Sequence, residues 1–142
     1  IDARVEVMEE TFVKKLQIEA RVIGDMSLNH VFPAAINYQN TLASNILNSR
    51  AIFSDDPNIR KGAIKSLKEI SRLVNSLYDS VNELLEVRKI ANRHPNIPER
   101  ANMYSTDGLQ KMAQVREYAD QLEMLVDDAL WPLPKYRELL SL

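Results

Sequence analysis

The stretch LKEISRLVNSLYDSVNELL, residues 67–85, decides how the chain folds. Its apolar residues recur at alternating intervals of three and four, the period of about 3.5 that keeps one face of a helix apolar. Further apolar residues widen this seam to the broad stripe of a bundle helix. The stretch therefore predicts a long helix packed on two others. The seam consists of Leu67, Ile70, Val74, Leu77, Val81 and Leu84, and it is widened by Leu73, Tyr78 and Leu85.

Glycine and proline divide the chain into a few long segments. There are only three glycines and six prolines in 142 residues, which favours long helices. Asp56 before Pro57 predicts one helix start, and Asn96 followed by Glu99 predicts another. The predicted fold class is all-α, an up-down-up antiparallel bundle of three long helices in a single domain over residues 1–142. Its predicted parts are a first helix over 1–53, a second over 57–93, a third over 97–130, and a docked, non-helical or short helical tail over 131–142.

The first helix is expected to be irregular. As one rod it would measure roughly 75 Å, against roughly 50 Å for each of the others. Pro33 removes a backbone donor and crowds the preceding turn, so it should kink the rod near Asn29 and His30 or break it in two. If the rod stays continuous, its first turns should project beyond the bundle. In the third helix, Gly108 predicts a bend or a close helix contact.

Composition excludes several classes of function. The net charge is −2, and lysine and arginine are scattered, so we expect no nucleic-acid or membrane partner. The absence of cysteine excludes disulfides and thiolate chemistry, and fits a reducing, cytoplasmic location. No apolar run is long enough to span a bilayer, and no signal-peptide pattern is present. Because the helical pattern is already running at Ile1, the chain is expected to be a piece of a longer protein.

No motif in the sequence predicts catalysis. His94 is interpreted as a solvated turn residue before Pro95. His30 lies beside the proline break, where it could bind carbonyls released by the kink or contact a ligand. Neither histidine follows a glutamate at the interval of a helical di-metal site, and phosphate loops, nucleophile elbows and zinc signatures are all missing. The sequence therefore predicts no catalytic, cofactor-binding or metal-binding residue.

Two polar regions are candidates for docking rather than chemistry. The first is the kink, where amides are dense. The second is the tail, where the only tryptophan lies between two aspartates and two prolines. Asp127 and Asp128 are expected in the last turn of the third helix, where the helix dipole disfavours negative charge. Trp131 is interpreted as a lid on its own bundle, with an external surface as the alternative. The candidate docking residues are Asn29, His30, Tyr38, Gln39 and Asn40 at the kink, and Trp131, Pro132, Pro134, Tyr136 and Arg137 in the tail.

Two long motifs carry a family resemblance. QIEARVIGDMSLNHVFPAAINYQN, residues 17–40, and LVDDALWPLPKYRELL, residues 125–140, closely resemble the C-terminal region of type III glutamine synthetases. The resemblance runs from Phe12 to Leu140 and is least distinctive between Ile52 and Pro98. It implies an enzyme of nitrogen metabolism that makes glutamine from glutamate, ammonia and ATP with a divalent metal, Mg or Mn.

The resemblance also implies where this segment belongs. In that family the metal and nucleotide sites lie in a catalytic β-grasp and β-sheet body upstream, and the subunits form dodecamers of two stacked hexameric rings. No catalytic residue carries over to this chain. The expected function is an accessory helical domain with a structural or assembly role, whose partners are its own catalytic body and neighbouring subunits. Two alternatives remain open at this point: a regulatory module that senses a metabolite or a partner protein at the Pro33 kink, and a free-standing coiled-coil adaptor.

Overall fold

The chain folds as three antiparallel helical rods. The computed structural model describes residues 3–131, and no strand occurs among them. None of the helices in that range is both long and apolar enough to cross a membrane. The predicted all-α bundle is confirmed. The first rod consists of α1 (Ala3–Met26), a π turn (Ser27–Val31) and α2 (Phe32–Ile52). The second is a 3₁₀ turn (Pro57–Arg60) followed by α3 (Lys61–Arg93). The third consists of α4 (Ile97–Met103), a second π turn (Tyr104–Gly108) and α5 (Leu109–Leu125).

Side-chain caps fix the starts of the second and third rods. The Asp56 carboxylate accepts a hydrogen bond from the Asn58 backbone N–H at 3.1 Å. The Asn96 side-chain oxygen accepts one from the Glu99 N–H at 3.3 Å. Each cap satisfies a backbone donor that has no partner in the first turn of a helix. Both predicted helix starts are therefore confirmed.

The second rod lies at the centre of the bundle and supplies much of the core. α3 packs against α2 along one side and against α5 along another. Of the residues predicted to widen its seam, Leu73 is fully buried and Leu85 is partly buried. Tyr78 is 47% exposed, so the prediction that it lies in the seam was wrong. Its ring instead covers the flank of α2, 5.7 Å from the ring of Phe32.

The first rod is continuous through the predicted irregularity. Helical backbone runs from α1 into α2, and the irregularity at Pro33 takes the form of the π turn just before it. The Phe32 N–H bonds to the Ser27 carbonyl, five residues back. A π turn is compatible with a nearby proline because its N–H groups bond to carbonyls five residues back instead of four. This changes which carbonyls need a donor.

The ends of the rods are less packed than the middle. Near the start of α1, Val5, Val7 and Met8 are 44%, 61% and 66% exposed, as expected for turns that project beyond the bundle. The third rod ends at Leu125, five residues before the predicted end at Leu130. The chain turns there because Val126 adopts an extended conformation.

Asp127 begins a new turn instead of ending the old helix. Its carboxylate accepts a hydrogen bond from the Ala129 N–H at 2.9 Å, and its carbonyl accepts one from the Leu130 N–H at 3.0 Å. This is the position of a helix N-cap, where a carboxylate is favourable. The interpretation of Asp127 and Asp128 as unfavourable charges in the last turn of the third helix was therefore wrong.

Candidate functional site

The residues predicted around the Pro33 kink do not form one pocket. The Asn29 side-chain amide donates to the Asp25 carboxylate of the same rod at 2.5 Å. His30 and Asn40 are both exposed. The outward direction of Asn29 and His30 follows from the π turn, which buries its first and last residues, Ser27 and Val31, and exposes these two residues between them. Asn40 lies further along, on the exposed face of α2.

The other two predicted kink residues face the bundle interior. Tyr38 packs against the core as a partly buried side chain. The Gln39 amide donates to the Ser71 hydroxyl on α3 at 2.9 Å. Gln39 therefore links the first and second rods and is occupied by a neighbour within the chain. The five residues fall into an exposed group and an interior group, and the geometry does not bring them together.

Trp131 packs on the bundle. Together with Leu130 it is partly buried against the hydrophobic core. Its backbone N–H donates to the carbonyl of Asp127 at 3.1 Å, which holds the ring at the end of the new turn. The remaining predicted tail residues, Pro132, Pro134, Tyr136 and Arg137, lie outside the described residues.

A polar junction joins all three rods and was not predicted. The Asn92 side-chain oxygen accepts a hydrogen bond from the Gln17 amide at 2.7 Å and another from the Tyr104 hydroxyl at 2.8 Å. Gln17 comes from α1, Asn92 from α3 and Tyr104 from the second π turn. Tyr104 is fully buried, so its hydroxyl needs this partner.

The surroundings of Tyr104 favour its neutral form. Desolvation by burial raises the pKa of the Tyr104 hydroxyl, and the nearby positive charge of Arg88 only partly opposes this effect. The Arg88 Nε atom is itself buried and has no hydrogen-bond partner among the described residues. The Arg100 charge also acts to lower the Tyr104 pKa, and its guanidinium donates to the carbonyl of His94. A neutral, hydrogen-bonded tyrosine at this place suits a structural role.

His94 has a partner that its sequence neighbourhood did not indicate. Its Nδ1 atom lies 3.2 Å from a Glu99 carboxylate oxygen. Both side chains are well exposed, so the pair is a surface contact at the turn into α4. Within residues 3–131, no group of three or more His, Asp or Glu side chains is placed to hold a metal ion.

The spacing of apolar residues carried a signal for Tyr104. Counting back from the buried Met112 by four and again by four reaches Gly108 and then Tyr104, which places the tyrosine on the buried face of the third rod. This spacing does not mark the π turn, because Leu77, Val81 and Leu85 show the same two intervals of four within the continuous helix α3. Nothing comparable in the sequence pointed to Asn92 or Gln17.

Comparison with known proteins gives consistent matches over nearly the whole chain. The chain is 41% identical over 139 residues to a glutamine synthetase of Bacteroides fragilis (strain YCH46), which covers 96% of this chain and 19% of that protein. It is 29% identical over 148 residues to the Type-3 glutamine synthetase of Dictyostelium discoideum, and 26% identical over 141 residues to a glutamine synthetase of Butyrivibrio fibrisolvens. These two matches cover 100% and 99% of this chain and 20% of each relative. A family model described as the glutamine synthetase C-terminal domain matches residues 1–50.

The segment is homologous to the C-terminal region of glutamine synthetases. The predicted resemblance is therefore confirmed. The chain spans about a fifth of the length of the curated glutamine synthetases that it matches. The family model covers almost the entire first rod of this chain and ends just before the turn to the second.

Proposed function

We propose that the chain is the C-terminal accessory helical domain of a type III glutamine synthetase, a cytoplasmic enzyme that joins glutamate and ammonia at the expense of ATP. In this proposal ATP and the divalent metal bind to the rest of the enzyme. The bundle contributes to the ordering of the subunit and to its assembly with neighbouring subunits in a dodecamer. The type III class is supported by the match to the Dictyostelium relative over the full chain.

The observation that carries this proposal is the combination of whole-chain homology with a self-contained core. The match to the Bacteroides relative extends over 96% of the chain. The described residues of all three rods meet in one hydrophobic cluster centred on α3. Its polar junction ties the rods to one another through neutral side chains. A unit built in this way suits a scaffold role, because the buried polar groups of the junction hold the rods together.

A second apolar face on α1 supports a contact outside the bundle. Val7, Ile18 and Val22 are 61%, 63% and 48% exposed. Their spacing places them on one stripe of the helix, opposite the stripe that buries Val13 and Leu16. Exposed apolar stripes of this kind are typical of surfaces that contact another protein unit. We propose that this outer stripe of α1 contacts the catalytic body of the enzyme.

The test alters the outer stripe in the full-length enzyme. Ile18→Asp together with Val22→Asp should leave the bundle folded, because both side chains are exposed within it. We expect loss of the large assembly in analytical ultracentrifugation and a fall in glutamine formation of at least about tenfold, since charges in an apolar contact cost more than the 1.4 kcal/mol that corresponds to that factor.

A matched control uses exposed polar positions on another helix. Asn75→Asp and Asn82→Asp on α3 also add two negative charges to the surface of the bundle, and they should have much smaller effects if the apolar stripe of α1 is the contact. Unchanged assembly and unchanged kinetics in the Ile18 and Val22 variant would exclude the structural proposal. Intact rings with altered kinetics would instead support the regulatory alternative.

A further inference from the structure

The third rod is shorter than the antiparallel pair α2 and α3, the helical hairpin on which it packs. Tyr104 contacts Asn92, and Lys111 pairs with Glu83 at 2.8 Å, which fixes the alignment of the third rod on α3. Continuing this alignment at the helical rise places the end of α5, Leu125, beside about residue 69 of α3. The start of α3 and the end of α2 therefore extend beyond α5 as a pair of helices, and no residue from 3 to 131 adds a third helix beside them. We define this overhang as residues 42–69.

The fully buried core stops before the overhang on α2 and at its edge on α3. The last fully buried residue of α2 is Ala35, and the first of α3 is Ile70. Within the overhang no residue is fully buried, although several apolar side chains lie there. Those that are partly buried are Leu42, Ile46, Ile64 and Leu67, and those that are exposed are Leu47 at 65%, Ile52 at 72%, Phe53 at 48% and Ile59 at 48%.

We propose that residues 132–142 pack along the overhang and serve there as its third element. The C-terminal end of α5 points toward the overhang, because the third rod runs antiparallel to α3. Leu130 and Trp131 already pack against the core at the end of the third rod, so the chain is anchored where the overhang begins. Residues 132–142 continue directly from this anchor.

The length of the tail matches the space to be covered. The uncovered part of α3, from Lys61 to about residue 69, measures roughly 13 Å at the helical rise. Eleven residues reach up to about 36 Å when extended, and still span roughly 16 Å as a helix. The tail can therefore cover the overhang in either conformation.

The composition of the tail is complementary to the overhang. Four leucines in the tail would cover the exposed apolar side chains at the end of the hairpin, and burial of each contributes about 1.5–3 kcal/mol when complete. Lys135 and Arg137 provide positive charge toward the exposed Asp55 and Asp56 at the turn between α2 and α3. The four leucines are Leu133, Leu139, Leu140 and Leu142.

Hydrogen exchange of the 142-residue chain tests this inference. A stop after Trp131 removes the tail and leaves every described residue in place. We expect backbone amides in the overhang to exchange roughly tenfold faster or more, because the helix pair loses its third element. Amides of residues 73–91, in the packed middle of α3, should change little. Equal exchange in the overhang with and without the tail would overturn the proposal.

Point variants guard against a general loss of folding. Leu139→Asp with Leu140→Asp should reproduce the effect of the truncation, whereas Ser141→Asp adds the same kind of charge next to them and should not. The chain has no cysteine, so Ile52→Cys with Leu140→Cys gives one defined pair for oxidative cross-linking. A cross-linked monomer at low protein concentration supports the proposal. Cross-linking only between two chains, with overhang protection that rises with protein concentration, would show that a second copy occupies the overhang and would refute it.

Discussion

The two π turns of the bundle have the same shape but different surroundings. Each covers five residues, and in each the first and last residues are buried: Ser27 and Val31 in the first rod, Tyr104 and Gly108 in the third. Each interrupts a long helix without breaking it. The first precedes a proline, and the two side chains that it buries in the core are small. The second buries a complete tyrosine ring there.

The first π turn serves mainly to adjust the register of the first rod. Gln17 bonds to Asn92 and Gln39 bonds to Ser71, and between these contacts the first rod has one residue more than α3. A π turn accommodates one additional residue without rotating the helix on either side. The second π turn has a different role, because it positions the Tyr104 ring and hydroxyl at the junction of the three rods. The comparison predicts that the second turn is far more sensitive to substitution than the first.

The largest effect is expected at Tyr104. Tyr104→Ala should lower the free energy of unfolding by about 3–5 kcal/mol, because it leaves a large cavity in the core and removes a donor from Asn92. Tyr104→Phe keeps the ring and should cost only about 1 kcal/mol. Urea denaturation followed by circular dichroism measures both. Equal losses for the two variants would show that the hydroxyl, and not the packed ring, stabilises the second π turn.

The next largest effect is expected at Gly108, for which Gly62 serves as the comparison. A Cβ atom added at Gly108 would lie 3.1 Å from Cδ1 of the buried Tyr104 ring, whereas one added at Gly62 meets nothing within 4 Å. Because the Tyr104 ring is fully buried and its hydroxyl is hydrogen-bonded to Asn92, we expect a shift of the ring to cost more than the gain in helix propensity, so that Gly108→Ala destabilises the bundle by about 1–2 kcal/mol. Gly62→Ala should stabilise it by about 0.5–1 kcal/mol through helix propensity. The opposite signs can be measured in the same urea experiment, and stabilisation by both changes would contradict the close contact at Gly108.

The sequence was sufficient for the fold because the apolar seam of α3 is long and regular. Six seam residues at helical intervals, and caps at Asp56 and Asn96, determine where the second and third rods begin. The end of the third rod was missed because Asp127 resembles a poor helix terminator when it is read as part of α5, although it is a good cap for the following turn. Local composition cannot distinguish these two roles, because the decision depends on the extended backbone of Val126, which ends α5 before Asp127.

The candidate docking residues could be predicted less well than the fold. Dense amides at the kink suggested one cluster, but a π turn directs Asn29 outward while Gln39 lies nearly three turns further on and faces α3. The polar junction depends on residues that are far apart in sequence, and Gln17 and Asn92 are separated by 75 positions. Such pairs follow from the register between rods, which a single sequence does not display.

The dependence of stability on alkaline pH should also distinguish the second π turn, which contains Tyr104, from the first. The pKa of Tyr104 is raised in the folded state by burial, so the folded chain holds this proton more tightly than the unfolded chain. The stabilisation from this difference is fully present below the ordinary tyrosine pKa of about 10 and is lost as the pH rises through the higher folded value. The free energy of unfolding should therefore fall more steeply above pH 10 in the parent chain than in Tyr104→Phe. Parallel curves for the two proteins would exclude Tyr104 as the cause.

The smallest effect is expected at Pro33, beside the first π turn. Pro33→Ala restores a backbone N–H that can bond within the rod, but it also increases the freedom of the unfolded chain, and each effect is on the order of 0.5–1 kcal/mol with opposite sign. The π turn itself should persist, because Ser27 and Val31 remain buried and the Gln17 and Gln39 contacts still require the additional residue. We therefore expect a change in the free energy of unfolding of less than about 0.5 kcal/mol. A loss well above 1 kcal/mol, together with faster hydrogen exchange around residue 39, would mean that proline rather than register maintains the first turn, and the contrast between the two π turns would then have a different origin.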